Sequence, residues 1–161
     1  MIKKENKLAL IVWALVLSVQ IFIPAFNFNE IQIKPDLILV LVSFVALKFG
    51  ADFAIIFAFL NGLIQDFTTQ NSLLGILTLA KSLAIYIIHF IQNFNTIWTR
   101  KIKILYIFLA YLLHNLIYYY FYLSGDVSIF SIGIFIILIH SIISFIIFLV
   151  FEKILFKSKL L

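Results

Sequence analysis

Lys81 is the side chain whose position in this sequence most needs a chemical explanation. It separates two uncharged, largely apolar runs, 67–80 and 82–99. A charge inside an apolar segment is costly unless it is paired or neutral, and in membrane proteins such charges often mark ligand or proton sites. Lys81 therefore predicts either such a site or an internal ion pair that fixes the order of the helices. We favour the second, structural interpretation.

The polar groups best placed to hold Lys81 are in the preceding apolar segment. Asn61 and Gln65 share one helical face at i,i+4, and Gly62 and Asp66 share the adjacent face. We therefore expect Asn61, Gln65 or Asp66 to contact the ammonium group. A glycine such as Gly62 lets two membrane helices approach closely.

Three histidines occur once each in the later apolar runs, at His89, His114 and His140. His114 and His140 are expected at similar depth, and Asn115 is next to the first of them. The sequence has no cysteine and no HExxH motif, so hydrogen bonds between helices are a better interpretation than a metal site. No Ser-His-Asp ordering, P-loop or glycine-rich phosphate site is present, so we predict no enzyme and no cofactor.

The segments that carry these residues predict an integral membrane protein. Hydrophobic residues make up 65% of the 161 residues and charged residues only 12%. A soluble domain of this composition would expose a large apolar surface that is prone to aggregation. We predict an all-α fold with one membrane domain over residues 1–161. Its six predicted spans are about 8–26, 35–48, 52–66, 72–92, 104–123 and 127–151.

The basic residues predict the orientation of these spans. With six crossings, ten of the twelve Lys and Arg residues lie on one side, Lys34 lies alone on the other, and Lys81 is within a span. Short loops rich in Lys and Arg stay cytoplasmic, so both termini are expected in the cytoplasm. The spans 35–48 and 52–66 are short for a lipid bilayer, and we expect neighbouring helices to shield them.

The region around these two short spans carries a family resemblance. Pro35 and Asp36 suit a helix start, since proline fits the first turn and an acid complements the helix dipole. Further along come the run Asn61-Gly62-Leu63-Ile64-Gln65-Asp66, the pair Leu74-Gly75 and a helix ending near Tyr86. On these motifs, residues 34–86, a third of the chain, resemble the family of rod-shape-determining protein MreD.

The resemblance implies a multi-pass protein of the bacterial inner membrane. It implies a non-enzymatic scaffold of the cell-elongation machinery that binds an MreC-like partner and supports rod shape and peptidoglycan synthesis. It also implies indirect links to RodA, PBP2 and the MreB filament. The residues expected in structural or interaction roles are Pro35, Asp36, Asn61, Gly62, Gln65, Asp66, Gly75 and Lys81.

The fold implied by the resemblance leaves one alternative function open. Members of the family resemble the S components of energy-coupling-factor transporters, so the alternative is a substrate-binding S component of a vitamin transporter. Such S components carry Ala-x-x-x-Ala in the first helix, for docking to the coupling subunit. Here Ala9 and Ala14 are five residues apart, and that pattern is absent.

Overall fold

Six helices make up most of the structure. The computed structural model describes residues 4–24, 26–28, 31–69, 74–122 and 130–156, with side chains described for 13–24, 34–69, 74–122 and 133–154. The helices are α1 (Lys4–Phe22), α2 (Leu37–Lys48), α3 (Ala51–Thr69), α4 (Ile76–Asn93), α5 (Arg100–Tyr122) and α6 (Phe130–Phe156). Two three-residue strands, β1 (Phe26–Phe28) and β2 (Ile31–Ile33), pair antiparallel between α1 and α2.

Helix α2 begins at Leu37, directly after the predicted Pro35-Asp36 start. Asp36 is its N-cap, and the Oδ1 atom of Asp36 accepts a hydrogen bond of 2.8 Å from the backbone N–H of Leu39. This bond satisfies one of the free donors of the first turn. At the other end of α2, the amide of Gln92 donates to the carbonyls of Ala46 and Phe49, at 2.7 and 3.0 Å. Both ends of this short helix are therefore fixed by side chains.

Helix α4 lies at the centre of the packing, against α2, α3 and α5. Its buried face includes Leu77, Lys81, Ala84, Ile88 and Ile91, which recur every three or four residues as one helical face requires. Leucine and aromatic side chains on its opposite face are exposed. An exposed apolar face of this kind is expected where helices contact lipid.

Four helical segments are long and apolar enough to cross a membrane: Ala51–Thr69, Ile76–Asn93, Arg100–Tyr122 and Gly133–Ile154. Two described apolar stretches are shorter, Trp13–Phe22 and Leu37–Lys48. The protein is therefore a helical membrane protein, and the count of six crossings stays a prediction.

The two predicted short spans differ in the structure. The helix that contains the predicted span 52–66 is longer than that span, because α3 extends over 19 residues to Thr69. Helix α2 has only 12 residues, about 18 Å at 1.5 Å per residue, which is short of a ~30 Å hydrocarbon core. It packs against α1, α3, α4 and α6, so these neighbours cover most of its surface.

Alternating helix directions give the bundle two ends. The Asp36 end contains the starts of α2 and α4 and the end of α3, and the Arg100 end contains the start of α5 and the ends of α2, α4 and α6. Lys34 lies at the Asp36 end. The basic residues of the Arg100 end whose side chains are described are Lys48, Arg100, Lys101, Lys103 and Lys153. In the described residues, positive charge is therefore concentrated at one end, as the sequence predicts.

Candidate functional site

Asp36, Lys81 and His114 form a buried polar group, the Asp36 cluster, which joins α2, α4 and α5. The ammonium of Lys81 pairs with the Oδ2 atom of Asp36, and Lys81 and Asp36 are 0% and 4% exposed. The Nε2 atom of His114 lies 3.5 Å from the same carboxylate oxygen. Separation of a buried ion pair leaves uncompensated buried charges, which is costly. The pair therefore favours the arrangement of α2 and α4 that brings Asp36 and Lys81 together.

The expectation that Asn61, Gln65 or Asp66 holds Lys81 is wrong. Helix α4 begins at Ile76, not at residue 72, so Lys81 lies only five residues from the start of its helix. At that depth it faces the N-terminus of α2, where Asp36 is the available carboxylate. The internal ion pair that the sequence favours is present, but its partner comes from a different helix. Asp36 directly precedes the uncharged run 37–47, and Lys81 directly follows the run 67–80. Two opposite charges at the ends of apolar runs could have suggested this pair.

Asp66 instead holds the first turn of α4. Its Oδ1 atom accepts from the backbone N–H of Leu77 at 3.1 Å, and its Oδ2 atom accepts from the N–H and hydroxyl of Thr78 at 3.0 and 2.5 Å. The N-cap of α4 is Gly75, which has no side chain to cap with and adopts φ 97°. The carboxylate therefore supplies from α3 the cap that α4 lacks, and its charge suits the positive end of the helix dipole.

Gly62 lies one turn before Asp66 and allows the same two helices to touch. A Cβ atom added to Gly62 would lie 2.5 Å from the Cα of Thr78. No real Cβ contact is that short, so any side chain at this position would push α3 and α4 apart. The Gly62-x-x-x-Asp66 spacing therefore places a close backbone contact between α3 and α4 one turn away from the side chain that caps α4.

Asn61 and Gln65, on the neighbouring face of α3, have separate surroundings. The indole Nε1 of Trp13 donates to Oδ1 of Asn61 at 2.8 Å, which ties α1 to α3. The amide of Asn61 donates to the carbonyl of Phe57 at 2.7 Å. Gln65 is buried, but its Oε1 atom has no hydrogen-bond partner among the described residues.

Gln65 lines a cavity of about 550 Å³ at the Asp36 end of the bundle. Asp36, His114 and His140 also line it, together with apolar side chains of α1, α2 and α3. Two further buried atoms there, Nδ1 of His114 and Nε2 of His140, lack a partner in the described part of the chain. The cavity thus combines apolar walls with unsatisfied polar atoms, as small-molecule sites do.

Side chains of α5 and α6 also hydrogen-bond to each other. The hydroxyl of Tyr119 lies 3.2 Å from Nδ1 of His140, and the amide of Asn115 donates to the hydroxyl of Ser141 at 3.0 Å. These contacts agree with the interpretation of the histidines as interhelical hydrogen-bonding groups. His89 differs, since its buried Nδ1 atom has no partner among the described residues and the residue does not line the cavity.

At the Arg100 end, a second ion pair joins α5 to α6. The guanidinium of Arg100 lies 3.2 Å from Oε2 of Glu152, which is buried, while Arg100 is half exposed. Nearby, the ammonium of Lys103 donates to the side-chain oxygen of Asn95. Polar groups at both ends of the bundle therefore hold helices to one another.

The described residues contain no group of three His, Cys, Asp or Glu side chains placed to hold a metal ion. Within the Asp36 cluster, the carboxylate is paired with the ammonium of Lys81 and lies 3.5 Å from the ring of His114. The arrangement is suited to fixing helices and to hydrogen-bonding a guest in the cavity.

The family resemblance of residues 34–86 extends to nearly the whole chain. Comparisons with curated proteins and with solved structures give no match. A comparison with protein-family models matches residues 4–161 to "rod shape-determining protein MreD". The chain therefore belongs to the MreD family, whose members are membrane proteins of rod-shape determination.

Proposed function

We propose that this protein is a non-enzymatic membrane scaffold of the bacterial cell-elongation machinery. In this proposal it binds an MreC-like partner and thereby supports rod shape and peptidoglycan synthesis. The observation that carries the proposal is the family match over residues 4–161. The structure is compatible with it, because the described buried polar groups mainly join one helix to another.

The proposal includes a location and an orientation. The protein lies in the inner membrane with six crossings and both termini in the cytoplasm. Support comes from the basic residues of the Arg100 end, since short basic loops remain cytoplasmic. The Asp36 end then faces outward, toward the peptidoglycan. Contacts with RodA, PBP2 and MreB are indirect in this arrangement and pass through the MreC-like partner.

The transporter alternative receives no support from the family match. The likeness of the fold to S components stays a prediction, for which the short, surrounded helix α2 is the supporting feature. A scaffold and an S component differ in their partners, one being an MreC-like protein and the other a coupling subunit with ATPases. Partner identity is therefore the measurement that separates them.

The test is co-purification in mild detergent with the MreC-like protein of the same organism, combined with depletion in living cells. We expect the two proteins to elute as one complex and depleted cells to become round. The matched control is an unrelated bundle of six membrane helices carrying the same affinity tag. Depleted cells that keep their rod shape, with no MreC-like protein in the complex, would refute the proposal.

A further inference from the structure

The cavity at the Asp36 end has no role in the scaffold function proposed above. Its volume, about 550 Å³, is within the range of roughly 300–1,000 Å³ that is typical of small-molecule sites. Apolar side chains such as Leu17, Ile38 and Ile64 line it beside the polar ones. Exposed residues such as Ser18 and Ile21 also line it, so the cavity is open at the surface of the bundle.

Three nearly inaccessible side chains in the cavity wall have an unsatisfied polar atom. Gln65, His114 and His140 are 7%, 2% and 5% exposed. Their unpaired atoms are Oε1, Nδ1 and Nε2, respectively, among the residues that the structure describes. Buried polar atoms are nearly always hydrogen-bonded. The rings of His114 and His140 lie close to the backbone of Ala80 and of Lys34, so Gln65 is the side chain whose missing partner points to the cavity.

The surroundings of these atoms define the chemistry of that partner. The Oε1 atom of Gln65 is an acceptor. A guest must therefore offer an N–H or O–H donor to Gln65.

Two charged residues line the cavity. The charge of Asp36 is already balanced by Lys81. Lys34 is partly exposed and donates to the carbonyl of Ile21 at 3.3 Å. Burial of an ion without an opposite charge beside it is costly, so we expect the group that contacts the buried Gln65 to be uncharged.

We propose that this cavity binds one small uncharged molecule, or the uncharged head group of a lipid, through an N–H or O–H donor directed at Gln65. The apolar walls contact the rest of the guest. Binding at this site does not require the MreC-like partner. The site faces outward if the Arg100 end is cytoplasmic.

The first test uses the full chain, extracted from membranes by styrene–maleic acid copolymer so that no sugar-headed detergent can occupy the cavity. Native mass spectrometry should show a bound mass on the wild type. In Gln65→Met, which keeps the side-chain length but removes the acceptor, its occupancy should fall at least tenfold. Gln65→Leu is the second variant, and the melting temperature of each variant verifies folding.

The matched control is His89→Leu, which removes another unpaired buried atom away from the cavity and should keep the wild-type occupancy. Extraction distinguishes the two sources of the guest, since a lipid enters the organic phase and a free molecule the aqueous phase. A charged bound species, or one that Gln65→Met retains in full, would overturn the proposal.

The second test measures charge preference with three probes of one shape. Nicotinamide is neutral and donates through its amide, nicotinate is an anion, and 1-methylnicotinamide is a cation. We expect nicotinamide alone, at millimolar concentration, to raise the melting temperature of the wild type and not that of Gln65→Met. Stabilisation by the anion or cation contradicts the neutral site. If no mass is bound and nicotinamide gives no shift, the cavity holds water only and the proposal fails.

Discussion

At the scale of single residues, the protein uses its few charges inside the bundle to connect helices. Asp36 shows this most clearly, because its two carboxylate oxygens have different tasks. One caps α2 through Leu39, and the other pairs with Lys81 of α4. Loss of the charge and loss of the cap are therefore separable by substitution.

The Asp36–Lys81 pair predicts strong coupling between two substitutions. Lys81→Met leaves a buried carboxylate unpaired, which costs about 3–5 kcal/mol. Asp36→Asn keeps a good capping residue but leaves the lysine unpaired. The double variant removes both charges, so it should be more stable than Lys81→Met alone. Thermal unfolding of the four proteins in one detergent measures the coupling.

Lys81→Asp extends the same experiment. It places a second carboxylate beside Asp36, so it should lower the melting temperature more than Lys81→Met does. Additive losses in the double variant, or equal effects of Met and Asp at position 81, would show that the pair is not energetically coupled.

Gly62 predicts a steric effect of a single methyl group. Gly62→Ala places its Cβ against the backbone of Thr78, which cannot move without shifting α4. Overpacking of this kind costs about 1–3 kcal/mol. Gly50→Ala is the control, because an added Cβ there meets nothing within 4 Å. Melting temperatures should fall for Gly62→Ala and hardly change for Gly50→Ala, and equal values for the two variants would contradict the close approach.

At the scale of elements, α4 depends on its neighbour for a proper start. Its own N-cap is a glycine without a capping side chain, and the missing acceptors come from Asp66 of α3. Helices α3 and α4 therefore form one unit, joined by the cap and by the close contact at Gly62. This unit contains most of the motif that carries the family resemblance.

Asp66→Ala should therefore destabilise α4 more than an ordinary surface change does. It removes the acceptors of two backbone donors and one hydroxyl, and the loss of a helix cap alone costs about 0.5–2 kcal/mol. Hydrogen exchange of the amides of Leu77 and Thr78 is the direct measurement. Both should exchange faster in Asp66→Ala and remain protected in the control Asp52→Ala, an exposed acid at the start of α3. Unchanged protection would refute the role of the cap.

The sequence predicts the local features of these elements better than their contacts. The start of α2 at Asp36 follows from Pro35 and Asp36 themselves, and the close approach at Gly62 follows from residue size. The partner of Lys81 is 45 residues away on another helix, and helical periodicity contains no information on which helices touch. The predicted span 72–92 begins before α4, whose first residue is Ile76, so Lys81 lies nearer the start of its helix than the span suggests.

At the scale of the whole molecule, the described basic residues of the Arg100 end contrast with Lys34 and the buried, paired Lys81 of the other end. The family match assigns the molecule to rod-shape determination. The cavity could not be predicted from the sequence, because side chains of all six helices line it. Side chains far apart in sequence meet there only after the bundle has formed.

The orientation of the bundle is testable because the chain has no natural cysteine. Leu74, which is 64% exposed, lies at the Asp36 end, and Thr99 lies just before α5 at the Arg100 end. With the Arg100 end in the cytoplasm, a membrane-impermeant thiol reagent should label Leu74→Cys in intact cells and Thr99→Cys only after lysis. The reverse pattern would invert the orientation, and labelling of both in intact cells would mean that α4, the helix between the two positions, does not cross the membrane.

The short helix α2 also has a consequence for how the protein is made. Its 12 residues enter the membrane with Asp36 still unpaired, because Lys81 is synthesised 45 residues later. At about 5–20 residues per second, this delay is about 2–9 s. We therefore expect α2 to wait beside the insertion machinery until α4 arrives. Chains truncated after residue 75 should fail to integrate α2, whereas chains truncated after residue 99 should integrate it, as glycosylation-site mapping in microsomes can measure.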